Sequence, residues 1–86
     1  MKRSDISDVA VVRACWDPHE PWGIGIHSSL FRLMEATGAP EKVCWAAMER
    51  ASRRGYIESG VSLRCAWRTG TGTALLYAAN HSVASA

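Results

Sequence analysis

Residues 40 to 54, Pro-Glu-Lys-Val-Cys-Trp-Ala-Ala-Met-Glu-Arg-Ala-Ser-Arg-Arg, followed by Gly55, constrain this chain more than any other stretch. Pro40 suits the first helical position, where its missing N–H leaves no partner wanting and its φ is already helical. Glu41 in the first turn and Arg53-Arg54 in the last complement the helix dipole, and Gly55 can adopt the left-handed conformation just past the end. At 100° per residue Cys44, Ala47, Met48 and Ala51 share one face, with Lys42, Ala46, Glu49 and Arg53 opposite. The result is a helix with a small-residue inner face and a polar outer face.

Flanking patterns place this helix third. Ser4 or Asp5 can cap a first helix, which carries Asp8 near its start and Ile6, Val9, Ala10 and Val12 to Cys15 as apolar surface, and which Asp17-Pro18 stops. A second helix is expected from about Gly25 to Ala36, with Ile26, Leu30, Leu33 and Met34 on one face. Thr37-Gly38-Ala39 is a three-residue break, the length of the turn in a helix-turn-helix. After Gly55 the period changes. Tyr56 to Glu58 reads as a short strand and Ser59-Gly60 as a turn. From Leu63 the residues alternate, with Leu63, Cys65 and Trp67 on an apolar face and Arg64, Ala66 and Arg68 on the other. Thr69 to Thr73 reads as a turn, Ala74 to Asn80 as a last short helix, and residues 81–86 as a flexible tail beyond a single domain of residues 1–80.

The bulk numbers agree with one folded domain. Eighty-six residues, 48% of them hydrophobic and four of them tryptophan, suit a single modest core. The net charge of +2 is unevenly placed, with −1 over residues 1–39 and +3 over residues 40–86. Cys15, Cys44 and Cys65 are odd in number and widely spaced, which speaks for a reducing, cytoplasmic setting rather than a disulfide framework. No apolar run suits a signal peptide or a membrane span. Cys15-x-x-x-His19 matches no paired metal-ligand spacing. The sequence holds no Gly-rich phosphate loop, paired carboxylates or nucleophile motif, so no metal, cofactor or enzymatic activity is expected.

Three helices, a tight turn before the third and a hairpin after it resemble a winged helix-turn-helix, an α+β fold with a three-helix core, a two-stranded wing and here a short C-terminal helix. The run from Cys44 through Ala47-Met48 and Ala51 to Gly55-Tyr56-Ile57 resembles the family's recognition helix and first wing strand. Thr69-x-x-Gly72-x-x-Leu75-Leu76 is similar to its Thr-x-x-Gly-x-x-Leu-Leu closing pattern. Trp22-Gly23-Ile24-Gly25-Ile26 distantly resembles the Gly-Tyr-Glu-Ile start of helix 2 in PadR-type regulators, with Ile24 and Gly25 in place of tyrosine and glutamate. The short length looks more like small regulators of phages and mobile elements.

The resemblance implies a cytoplasmic transcriptional regulator that binds double-stranded DNA with its third helix in the major groove. Glu41, Lys42, Trp45 and Ala46 would lie nearest the base edges, Arg50 and Arg53 would meet phosphates, and Arg64 and Arg68, about 13 Å apart on one strand face, would follow the backbone from the wing. Specificity calls for a homodimer on half-sites, with Leu75-Leu76-Tyr77 as the expected subunit contact unless that segment packs on helix 1. The outer face has no Arg, Asn or Gln in its first two turns, and Glu41 and Glu49 oppose phosphate unless Glu41 accepts from cytosine N4. A second reading therefore stands beside the first: the same face, through Trp45, binds another protein. Trp45 can equally fold back onto helix 2, while Trp16, Trp22 and Trp67 suit the core or its edge.

Overall fold

The structure is a computed structural model that describes residues 2–16, 28–60 and 62–85. Its described elements form a small α+β fold of four α-helices and a two-stranded antiparallel sheet. Helix α1 spans Asp8–Ala14 and α2 spans Ser29–Thr37. Helix α3 spans Glu41–Arg53, strands β1 and β2 span Ile57–Glu58 and Trp67–Arg68, and α4 spans Gly70–Ser85.

The start of α1 differs from the expected cap. A 3₁₀ turn at Arg3–Asp5 precedes it, and Ser7 is the N-cap, its Oγ accepting from the Ala10 N–H at 3.1 Å. The shift brings Ile6 just outside the cap and Val11 four positions inside it, both in the core, the spacing of a hydrophobic staple. The helix also stops three residues short of Asp17. There the Trp16 N–H donates to the Ala66 carbonyl (3.4 Å) and the Arg68 N–H donates to the Trp16 carbonyl (2.8 Å), so the chain leaves helical geometry to bridge Trp67 in parallel.

Helix α2 begins at Ser29, with Ser28 Oγ accepting from the Phe31 N–H at 3.1 Å. The expected start at Gly25, with Ile26, lies outside the described residues, as do Trp22 and the whole Trp22 to Ile26 motif. Gly38 ends α2 at φ +72°, its N–H bonded to the Met34 carbonyl. Pro40 is the N-cap of α3 rather than its first residue, a one-position difference set by its extended ψ of 159°. At the far end Gly55 takes φ +81°, its N–H donates to the Ser52 carbonyl, and the Tyr56 N–H donates to the Ala51 carbonyl. These are the paired bonds of a Schellman motif.

The hairpin departs most from expectation. β1 and β2 pair Ile57 with Arg68 and Glu58 with Trp67, but Leu63–Cys65 is a 3₁₀ turn rather than strand. Ser62 caps that turn, its Oγ accepting from the Arg64 N–H. The predicted alternation fails with it: Ala66 is fully buried and Cys65 is exposed. The physical cause lies on α2, where the buried Ser29 hydroxyl donates to the Ala66 carbonyl at 2.6 Å. Only a small side chain lets that backbone sit so close to the helix.

Gly70 to Thr73 form the first turn of α4, with Thr69 as its cap, rather than a loop. The Thr69 Oγ1 accepts from the Gly72 N–H (3.0 Å) and donates to the Gly55 carbonyl (2.6 Å), capping α4 and tying it to the end of α3. Gly72 packs so near Tyr56 that a Cβ there would lie 2.0 Å from the Tyr56 carbonyl oxygen. Leu76 is buried and Arg13 donates to the Asn80 Oδ1 at 3.1 Å, fastening α4 along α1.

This packing separates two glycines two residues apart. Gly72→Ala should lower stability by about 1–3 kcal/mol through overpacking. Gly70→Ala, with open space around it, should be neutral or stabilising by up to about 1 kcal/mol. Thermal melts of the two variants check the difference.

Candidate functional site

The outer face of α3 is built by what holds the inner one. Cys44, Ala47, Met48 and Ala51 are fully buried, so the helix cannot rotate, and Lys42, Glu49 and Arg53 are fixed toward solvent. Trp45 and Ala46 are half-buried, with Trp45 packed against the edge of the core. Trp45 thus divides its surface between the fold and the solvent. Neither Lys42 nor Arg53 makes a hydrogen bond or ion pair among the described residues.

The remaining expected cations are engaged. Arg50 turns inward: its Nε donates to Asp8 Oδ1 at 2.9 Å and one of its terminal nitrogens donates to the Ile6 carbonyl. Asp8 also takes the Arg54 guanidinium, at 2.6 Å to Oδ2. The carboxylate, only 14% exposed, therefore holds two arginines one helical turn apart while sitting in the first turn of α1. Its position there is further favoured by the helix dipole. Arg68 does not share a strand face with Arg64; its Nε reaches the Cys15 carbonyl at 3.4 Å and the side chain is half-buried.

Arg64 sits in the 3₁₀ turn and pairs with Glu41 Oε1 at 2.7 Å, both side chains being more than half exposed. An exposed pair of this kind is worth about 0–1 kcal/mol, so it can be exchanged for another anion at little cost. The structure brings together Lys42, Trp45, Ala46 and Arg53 on α3 and sets Arg64 beside the start of that helix through Glu41. It turns Arg50 and Arg68 into fold contacts.

Asp8, Ser29 and Arg54 have roles that sequence spacing does not reveal. The four-residue interval between Arg50 and Arg54 is visible in the chain, but their shared partner lies 42 residues or more away.

The cysteines are inert to one another. Cys15 and Cys44 are buried and Cys65 is exposed, all three as free thiols. Burial pushes the Cys15 thiol up to about 11, against smaller opposing effects from the Ser29 hydroxyl, Arg68 and Arg32. The Arg32 guanidinium lies 4.5 Å from the Trp16 ring centroid, a cation–π contact at the core edge. Among the described residues no three His, Cys, Asp or Glu side chains gather as a metal set, and no helix is long and apolar enough to cross a membrane. His19 and His27 lie outside the described residues.

No protein-family model, curated protein or solved structure matches this chain.

Two measurements check this geometry. Asp8→Ala should destabilise the fold by about 1–3 kcal/mol, because it removes the carboxylate that pairs with the partly buried Arg50 and with Arg54. Glu41→Gln should change stability by less than about 1 kcal/mol; chemical denaturation gives both values. For the thiols, alkylation of native protein near pH 8 should modify Cys65 alone, and unfolding should expose all three.

The sign of the Cys15 effect follows from proton binding. Between its ordinary value and about 11, folded Cys15 keeps the proton that the unfolded chain releases. Its contribution is therefore complete below about pH 9 and falls as the pH rises toward 11, by about 2–3 kcal/mol in all. Cys15→Ser should flatten that alkaline decline.

Proposed function

We propose that this chain is a small winged helix-turn-helix protein that binds double-stranded DNA and regulates transcription by occupying an operator. The observation that carries the proposal is the outer face of α3, where Lys42 and Arg53 stand exposed and, among the described residues, unpartnered on a helix immobilised by its fully buried inner face. The order of elements supports it: a helix, a Gly38 turn, α3, and an antiparallel strand pair, a layout compatible with a winged helix.

In this reading the first turns of α3 enter the major groove. Lys42 meets guanine O6/N7 or a phosphate, and the Ala46 methyl and Trp45 edge supply apolar contact, as with a thymine methyl. Arg53, three turns on, takes a phosphate. Arg64 exchanges Glu41 for phosphate, which the small value of their exposed pair permits. Arg50 and Arg68 support the fold and stay out of the interface. The wing is short, since its connection packs back on α2 and α3, and most of the contact falls to the helix.

The competing reading, a protein partner on the same face, rests on half-exposed Trp45 between Glu41 and Glu49. Salt dependence separates the two. DNA binding should weaken with salt, log K falling by about 0.9 per phosphate neutralised against log salt. Lys42→Ala and Arg53→Ala should each lower that slope by about 1. Arg68→Ala should leave it unchanged while reducing stability. If duplex DNA at low salt leaves the protein unretarded in a gel, the DNA reading fails.

A further inference from the structure

A groove between α1 and α2 gathers two arginines around an apolar floor. Its volume is about 310 Å³, and it is lined by Ala10, Arg13 and Ala14 of α1 and by Arg32, Ala36 and Thr37 of α2. Helical period explains the grouping, since residues 10, 13 and 14 share one side of α1 and residues 32 and 36 one side of α2. Three of the six side chains are alanine, and their small size leaves open the space that larger residues would fill.

The polar groups of the groove differ in what they still have to offer. The Thr37 hydroxyl is used at its own helix end, donating to the Leu33 carbonyl at 2.8 Å and accepting from the Ala39 N–H at 3.2 Å. Arg13 gives one terminal nitrogen to Asn80 Oδ1, which leaves most of its five N–H donors unspent. Arg32 rests over the Trp16 ring at 4.5 Å, a contact that holds the guanidinium in place without occupying an oxygen acceptor. Among the described residues neither arginine has a carboxylate at ion-pair distance. The ion pairs there join Asp8 to Arg50 and Arg54, and Glu41 to Arg64.

We propose that this groove binds a small organic carboxylate, its head taken by Arg13 and Arg32 and its apolar body laid on the alanine floor. The two cations select the head. Like charges lining one space repel each other, and a ligand carboxylate neutralises them while accepting charge-assisted bonds from their planar forks. The lining selects the body. With the Thr37 hydroxyl already engaged, the groove has methyl groups and no further side-chain donor or acceptor for a sugar or a base. Its volume lies at the low end of small-molecule sites, about 300–1,000 Å³, which suits a single ring or a short chain. This inference stands apart from DNA binding: the groove lies away from the outer face of α3, and its test contains no DNA.

Titrating the isotopically labelled full chain with sodium benzoate, and following backbone amide and alanine methyl signals, tests it. Saturable shifts should centre on Ala10, Arg13, Ala14, Arg32 and Ala36, with half-saturation below about 10 mM. Benzamide, which keeps the ring and loses the charge, should bind about tenfold more weakly or less. Acetate and inorganic phosphate, which carry charge without an apolar body, should do the same. Arg13→Gln and Arg32→Gln should each weaken benzoate binding by about tenfold, the scale of a hydrogen bond to a charged group. Ala36→Leu, at an exposed position, should weaken it as much by filling the groove with both charges intact. Circular dichroism melts verify that each variant is folded, and Ala36→Leu decides if an arginine variant is not. No saturable shift, shifts centred elsewhere, a control that binds as well as benzoate, or folded variants that bind like wild type would overturn the inference.

Discussion

The packing of the inner face of α3 is the constraint on which the other elements depend. Cys44, Ala47, Met48 and Ala51 are sealed from solvent, and α1, α2 and β1 all pack against this helix. Three of the four side chains are small, so the neighbouring helices can come close, and Met48 fills the remaining space as an adaptable side chain. Backbone chemistry then fixes both ends of the helix. Gly38 permits the sharp entry and Gly55 closes the exit, each at a positive φ that other residues rarely adopt. With the ends and inner face set, the direction of Lys42, Glu49 and Arg53 follows.

Charge is partitioned by the same geometry. Asp8 reaches from the first turn of α1 to two arginines near the end of α3, and the partly buried Arg50 also satisfies the Ile6 carbonyl. Removing the carboxylate would take the counter-charge from a cation that water reaches poorly, so these contacts belong to the fold. Arg64 and Glu41 are exposed and hold each other weakly, which leaves them exchangeable. A basic residue's role is thus decided by the accessibility of its pair, not by its presence in a positively biased half of the chain.

Much of the fold was legible in the sequence because its signals were local. The extent of α3 to within one residue at each end, its buried stripe, the break at Gly38, the left-handed Gly55 and the strand at Ile57 all follow from residue types within a few positions of one another. The Thr69-x-x-Gly72 pattern was visible too, although its first residues read as a turn; their helical state depends on bonds to Gly55 and a close approach to Tyr56. The failures were tertiary. The alternation from Leu63 to Arg68 was a sound local pattern, overridden by the Ser29 hydroxyl on the Ala66 carbonyl and by the capped turn at Ser62. At the candidate site Lys42, Trp45, Ala46 and Arg53 could be placed from helical period alone, whereas the diversion of Arg50 and Arg68 could not, because Asp8 and Cys15 are distant in the chain.

The central claim is that the outer face of α3 meets DNA. Titrating isotopically labelled protein with a short duplex, and following the backbone amide and tryptophan indole signals, tests it most directly. The account predicts that the perturbed signals cluster at Lys42, Trp45, Ala46, Glu49 and Arg53, with Arg64 joining them and the solvent side of α4 silent. Perturbations that avoid α3, or none at all at low salt, would contradict it.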